Sequence, residues 1–196
     1  MNIINILLQK FSKFYGTEAN ENGAYFHEDF FNQVEILPRE NLFHLKKENE
    51  KIENFAEENF DGNGFTNIYL RNENPIIIAN KKFTFEKLDK LLLNLDLKKN
   101  TEVYEGYGAT KWKCENTFAY SYKSADIIIT LKDNVVHDFW INGFRFHKDI
   151  ETKSILKNIL LTIGNEMDLI LNDWDLSAVI DLKNENEIQK YLNEEL

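Results

Sequence analysis

Two apolar runs in the second half of the chain limit its fold more than any other feature. Residues 127–131 and 135–141 are rich in β-branched and aromatic side chains, and only three polar residues, 132–134, separate them. Runs of this length joined by a short polar turn are typical of a β-hairpin. The turn contains no glycine, so the signal is weaker than an Asn-Gly turn would be. We predict an antiparallel pair of strands here.

The other elements follow from hydrophobic periodicity. Apolar residues indicate helices in five segments, 2–15, 41–59, 85–95, 150–164 and 185–193. Thr84 is placed to cap the third of these helices. Further runs predict strands at 31–37, 65–71, 103–107, 111–114, 117–122, 169–172 and 178–182, with a short apolar run at 76–78.

Together these elements predict an α+β fold with about five helices and mostly antiparallel sheets, strand-rich in the middle and C-terminal half. A chain of 196 residues is long enough for one ordinary domain or two small ones. The polar stretch 97–101 is where two halves would divide, but it lacks the proline or serine content of a linker. We therefore expect a single domain over 1–196, with 97–101 as the point of any subdivision.

Composition argues against several classes of protein. Cys114 is the only cysteine, so the chain has no internal disulfide and no thiolate metal cluster. Only three of the 23 basic residues are arginine and the net charge is −10, which argues against binding nucleic-acid phosphates. No apolar run approaches the roughly 18 residues that span a bilayer, and the apolar start lacks the basic residues of a signal peptide. We expect a cytoplasmic protein with no cofactor and no membrane or nucleic-acid partner.

The four histidines lack the spacing of any known metal or catalytic motif. In a strand over 135–141 the side chains alternate, so Asp138 and Trp140 share one face while His137 and Phe139 share the other. Adjacent His137 and Asp138 should then diverge, and we predict no metal site and no catalytic residue. The alternative is a small-ligand-binding or hydrolytic protein in which His137, His147 and nearby carboxylates surround a pocket walled by Trp140.

Aromatic residues recur in or near the strands predicted between 103 and 122, at Tyr104, Tyr107, Trp112, Phe118, Tyr120 and Tyr122. Such a stripe is typical of a packed core, and a surface that stacks on a ligand is the alternative. Within 111–114, alternation places Trp112 with Cys114 and the two lysines opposite. This arrangement predicts a buried thiol rather than a nucleophile.

The last 32 residues carry −7 of the net charge, with nine acidic and two basic side chains. Asp173 and Asp175 flank Trp174 between two predicted strands, and tryptophan is a common interface anchor. Concentrated negative charge attracts basic surfaces. We therefore predict that the partner-binding residues are Asp173, Trp174, Asp175, Glu166 and Asp168, and that the partner is a basic protein. The opposing possibility is that Trp174 packs in the core and the aspartates cap a turn.

These features favour a non-catalytic protein-binding module with an acidic, aromatic-bearing surface. In general character the chain, which is small, acidic, poor in motifs and has one cysteine, resembles bacterial immunity proteins that neutralise basic toxins. The resemblance implies an inhibitor of a basic toxin. Long-range attraction would then make the association rate strongly dependent on salt concentration.

Overall fold

The computed structural model describes residues 23–81, 83–107 and 110–196. Within these ranges the elements are, in chain order, β1 Ala24–His27, β2 Val34–Pro38, α1 Leu42–Glu58, α2 Phe85–Leu93, β3 Lys98–Asn100, β4 Val103–Tyr107, β5 Thr110–Lys113, β6 Thr117–Tyr122, β7 Ala125–Lys132, β8 Val135–Asn142, α3 Ile150–Met167, β9 Leu169–Asp173, β10 Ala178–Asp181 and α4 Glu185–Asn193. The predicted α+β class with mostly antiparallel sheets is confirmed. The described residues contain four α-helices rather than about five. The helix predicted at 2–15 lies outside them.

The predicted hairpin is formed by β7 and β8. Lys132 pairs with Val135, so the turn consists of Asp133 and Asn134 alone, with φ of 52° and 60°. Aspartate and asparagine tolerate this left-handed backbone better than other residues with a Cβ. The turn therefore closes tightly without a glycine.

Seven strands form one sheet in the order β10-β9-β2-β8-β7-β6-β3, with every neighbouring pair antiparallel. One face of this sheet packs against α2, α3 and α4 through the largest group of buried residues. Ile127 and Ile129 of β7 lie on this inner face with Phe139 and Ile141 of β8. Alternate residues of the two hairpin strands thus form one wall of the main core.

Two smaller elements cover the outer face of the seven-stranded sheet. Helix α1 packs Leu45 against Leu37 and Ile170. A second, three-stranded sheet, ordered β1-β4-β5, places Phe26 and other apolar residues against Ile128 and Trp140 of the large sheet. Strands β1 and β4 run parallel to each other, whereas β4 and β5 are antiparallel. The outer face is therefore covered by a helix on one side and a small sheet on the other.

Three segments differ from the sequence prediction. Residues 65–71 do not form a strand, and Phe65 makes only an isolated bridge to Phe60. Ile68 and Leu70 are 81% and 84% exposed, so the apolar side chains of this segment do not face a core that would fix strand pairing. Strand β1 was not predicted, and residues 98–100 form the edge strand β3 beside β6.

Candidate functional site

Asp173, predicted to contact a partner, lies inside the protein. Its side chain is completely buried, and Oδ2 is 3.0 Å from Nε of Arg145. The hydroxyl of Tyr191 donates to the same oxygen at 3.0 Å. Burial raises the pKa of Asp173, and the charge of Arg145 opposes this increase. In β9 this position follows Leu171 onto the core-facing side, so Asp173 is an interior residue of this structure, and its contact with a partner stays a prediction.

Trp174 is half-buried and held by contacts within the protein. Its Nε1 donates to Glu35 at 2.6 Å, and the guanidinium of Arg71 lies 4.2 Å above its ring. Burial raises the pKa of Glu35, with Asp138 adding a smaller electrostatic contribution in the same direction. Trp174 therefore packs with α1 and β10, and its role as an interface anchor stays a prediction.

The remaining predicted residues differ in their surroundings. Asp168 is 2.6 Å from Nζ of Lys183, and this contact lowers the pKa of its carboxyl group. Asp175 is 53% exposed with its carboxylate 3.7 Å from Arg145, and Glu166 is exposed. Two further acids of the same segment are paired internally, Asp181 with Arg39 and Glu185 with Lys157. Much of the negative charge in the C-terminal segment is thus matched by cations of the same chain.

The histidines are arranged differently from expectation. Nδ1 of His137 is 3.0 Å from Oδ1 of Asp138, so these neighbours converge instead of diverging. The pairing of β7 with β8 changes register between Thr130–Asp138 and Leu131–Val136, so His137 is an extra residue at a β-bulge and simple alternation does not apply to it. His147 contacts Ser124 at 3.4 Å, beyond the far end of β8, and burial lowers its pKa. Since His137 and Asn142 are separated by about 17 Å of extended chain, the structure does not bring the two imidazoles together.

A cavity of about 230 Å³ lies between the three-stranded sheet and the outer face of the seven-stranded sheet. We call it the aromatic cleft. It is lined by Phe26, Phe31, Glu105, Trp112, Lys113, Cys114, Thr117, Ile128, Thr130, Asp138 and Trp140. Asp138 and Trp140 share this face of β8, as strand alternation predicted. Trp112 is 53% exposed at the cleft, and Tyr120 is completely buried in the main core, so only part of the aromatic stripe is packed core.

The walls of the aromatic cleft are held by ring packing. Phe26 meets Trp140 edge to face with centroids 4.9 Å apart, and Phe31 meets the same indole at 5.8 Å. Such aromatic pairs contribute about 0.5–1.5 kcal/mol each beyond the area that they bury. Phe26 comes from β1 and Phe31 from the turn before β2, so two separate segments position the indole.

Some charged residues that line the aromatic cleft form salt bridges with lysine or arginine partners or with carboxylates, and others do not. Lys113 is 2.8 Å from Glu102, outside the lining residues. Across the described ranges, neither Glu105 nor Asp138 forms a salt bridge with a lysine or arginine. Burial raises the pKa of the Cys114 thiol, so the sulfur is protonated near neutral pH and is a poor nucleophile. The cleft thus presents two carboxylates beside aromatic rings and no reactive thiolate.

One residue that lines the aromatic cleft has a buried polar group without a partner. Trp140 is 0% exposed, and its Nε1 has no hydrogen-bond acceptor among the residues that the structure describes. Buried donors are nearly always paired, so an unpaired one calls for a specific explanation. Sequence reasoning identified Trp140 and Asp138 as neighbours but missed Phe26, Phe31 and Glu105, since these come from elements distant in sequence.

In the ranges 23–81, 83–107 and 110–196, no three histidine, cysteine, aspartate or glutamate side chains are grouped as a metal ion would require. None of the helices in these ranges has both the length and the apolar character needed to cross a membrane. Comparison of the chain with protein-family models, curated proteins and solved structures gives no match in any of the three.

Proposed function

We propose that this protein is a non-catalytic binding module that takes a cationic group of a basic protein partner into the aromatic cleft. The observation that carries the proposal is the pair Glu105 and Asp138, which line the cleft without a lysine or arginine salt bridge among the described residues. A carboxylate that has no lysine or arginine partner gains by meeting a cation. An inhibitor of a basic toxin would be a protein of this kind.

The aromatic walls support a cationic occupant. Trp112 lines the cleft and is exposed, and indole rings attract cations by about 0.5–2 kcal/mol. Carboxylates and aromatic rings together bind a cation more strongly than either alone. The volume of about 230 Å³ is below the roughly 300–1,000 Å³ typical of sites for drug-sized ligands. A single residue of a partner is a better match in size than a nucleotide or a large cofactor.

The overall charge supports fast capture of a basic protein. A net charge of −10 creates a long-range attraction that raises association rates at low salt. Since this steering depends on the whole molecule, pairing of individual acids with internal lysines does not abolish it. The proposed binding site therefore moves from Asp173 to the aromatic cleft, while a basic partner remains the expectation.

The test compares two variants that remove equal charge. Glu105→Gln/Asp138→Asn changes the cleft, and Glu57→Gln/Asp96→Asn changes two exposed acids elsewhere. Each immobilised protein is exposed to lysate of the native host at low salt, and proteins released by salt are identified by mass spectrometry. We expect one basic protein to be captured by the wild type and to be lost with the cleft variant. The control without any predicted partner-binding residue, Glu57→Gln/Asp96→Asn, should capture it as the wild type does.

The same partner, once purified, should associate more slowly as salt increases from 50 to 500 mM, with a smaller effect on dissociation. Equal capture by the cleft variant, or a captured partner with no excess of basic residues, would contradict the proposal. Thermal unfolding of both variants establishes that loss of capture is not loss of fold.

A further inference from the structure

Three large apolar side chains in the segment after α1 are exposed to solvent. Phe65, Ile68 and Leu70 are 67%, 81% and 84% exposed. Tyr69 turns towards α1, where its ring centroid lies 5.3 Å from that of Phe55. Adjacent side chains of a non-helical chain alternate, so Ile68 and Leu70 share the side opposite Tyr69. We call Phe65, Ile68 and Leu70 the apolar patch. Grouped apolar exposure, unlike a single exposed residue, is typical of an interaction surface.

The apolar patch belongs to a segment that is fixed to α1. The hydroxyl of Tyr69 donates to the carboxylate of Glu48 at 2.8 Å, and the backbone amide of Asn72 donates to the same group at 3.1 Å. Glu48 is itself buried. These hydrogen bonds hold one side of the segment against α1, so the patch is directed away from that helix.

An apolar stripe of matching length occurs in residues 2–15, outside the described residues. Its members recur at the spacing that predicts an amphipathic helix, namely Ile4, Leu7, Leu8, Phe11 and Phe14. Ten residues of helix rise about 15 Å, and five residues of non-helical chain from Phe65 to Leu70 cover at most about 18 Å. A helix this short is marginal in water and is stabilised mainly by burial of its apolar face.

Charge also matches the two segments. Residues 2–15 contain two lysines and no acid, which gives them a net charge of +2. Residues 57–73, which surround the apolar patch, contain four acids and one arginine, for a net charge of −3. The acids are Glu57, Glu58, Asp61 and Glu73, and all four are exposed. Opposite charges on the two segments therefore favour contact between them.

The position of β1 allows this contact. Phe26 of β1 packs on Trp140 of β8, and α1 packs on Leu37 of β2, the neighbouring strand on the same outer face. Neighbouring strands are about 4.8 Å apart. The seven residues 16–22 extend up to about 25 Å, several times that spacing. Residues 2–15 can therefore reach the side of α1 that carries the patch.

We infer that residues 2–15 dock as an amphipathic helix on the apolar patch of the same molecule. The apolar stripe would lie against Phe65, Ile68 and Leu70, with the two lysines near the surrounding acids. The inference is independent of the proposed function, because the aromatic cleft and the patch share no residue. It identifies a segment of this chain as the occupant of the patch.

The test forms a disulfide in the full chain that carries Cys114→Ser, Leu8→Cys and Ile68→Cys. We call the two new cysteines the docking pair, because docking would bring their thiols within bonding range. The control pair replaces Ile68→Cys by Ile150→Cys. Ile150 is 86% exposed at the start of α3, which packs on the inner face of the seven-stranded sheet. We expect the docking pair to form an intramolecular disulfide about tenfold faster than the control pair, because docking raises the effective concentration of the thiols.

Substitutions in residues 2–15 separate apolar docking from attraction between charges. Leu7→Asp/Phe11→Asp places two carboxylates in the apolar stripe, whereas Asn5→Asp/Gln9→Asp adds the same charge on the other side of the predicted helix. We expect the first change to slow disulfide formation by the docking pair about tenfold, because it puts charge into an apolar contact. The second should slow it about twofold or less, because exposed charges are screened.

Three results would overturn the inference. The first is an equal rate for the docking pair and the control pair. The second is a disulfide formed mainly between two molecules, because a second copy would then cover the patch. The third is equal slowing by the two double substitutions, since charge alone would then draw residues 2–15 towards the patch. Near-ultraviolet circular dichroism of each variant establishes that the fold is retained.

Discussion

Replacement of Arg145 by methionine tests whether the pair with Asp173 is an interior structural contact. The side chain of Arg145 is 8% exposed and that of Asp173 is 0% exposed. Methionine preserves much of the apolar length of arginine and removes the charge, so Asp173 is left as a buried carboxylate with no cation beside it. Removal of one partner from a buried pair typically costs about 3–5 kcal/mol.

The surroundings of Asp173 place the expected loss in the free energy of unfolding at the lower end of this range. Its carboxylate keeps two donors in the variant, the Tyr191 hydroxyl at 3.0 Å and the Leu176 amide at 3.1 Å. We therefore expect a loss of about 3 kcal/mol in the free energy of unfolding at pH 7. For a chain of this size that loss lowers the melting temperature by about 6–12 °C.

The sign of the pH dependence provides a second check. Burial already raises the pKa of Asp173, and removal of Arg145 takes away an opposing effect. A carboxyl group with a raised pKa destabilises the folded protein above that pKa, so the deficit should shrink as the pH falls towards the ordinary value of 3.8. Urea unfolding between pH 4 and pH 8 measures this dependence.

Asp175→Asn is the matched control, because its carboxylate lies 3.7 Å from the same guanidinium but is 53% exposed. We expect this variant to change stability by about 0.5 kcal/mol or less. A loss below about 1 kcal/mol in Arg145→Met would refute the reasoning, and Asp173 could then be considered again as a residue available to a partner.

Three further substitutions test other parts of the fold. Glu48→Gln should reduce the free energy of unfolding by about 1–3 kcal/mol at pH 7. Burial raises the pKa of Glu48, but hydrogen bonds from Asn72, Tyr69 and Lys51 lower it to about 2. The loss should therefore disappear in acid unfolding as the pH falls from about 4.5 towards 2. Gly164→Ala should reduce the free energy of unfolding in urea by about 1–3 kcal/mol, because a Cβ at this position collides with the backbone of Leu182, shortly before α4. Asp126→Asn should raise the melting temperature at pH 7 and not at pH 4, because burial raises the pKa of Asp126 to about 6; equal shifts at both pH values would contradict this.

Local patterns in the sequence were sufficient for most elements. Helix α1 was predicted at 41–59 and spans Leu42–Glu58, and Thr84 accepts a hydrogen bond from Lys87 as the predicted cap of α2. The β7–β8 hairpin also follows from its own residues. These elements depend on side-chain periodicity and on hydrogen bonds between residues close in sequence, which a single sequence contains.

The segment 65–71 was misjudged because its apolar residues resemble a strand, although they have no sheet to join. Glu48 instead holds this part of the chain through Tyr69 and Asn72. Whether an apolar run pairs as a strand depends on a partner edge elsewhere in the fold, and propensity alone does not supply that information.

The sequence by itself determined the α+β class, the acidic charge and the sharing of one strand face by Asp138 and Trp140. Only the tertiary structure decided which carboxylates are available to a partner. Asp173 turns inward to Arg145, whereas Glu105 of β4 and Asp138 of β8 both line a cleft between two sheets. The physical reason is that burial and charge pairing depend on residues brought together from distant parts of the chain, whereas periodicity and net charge do not.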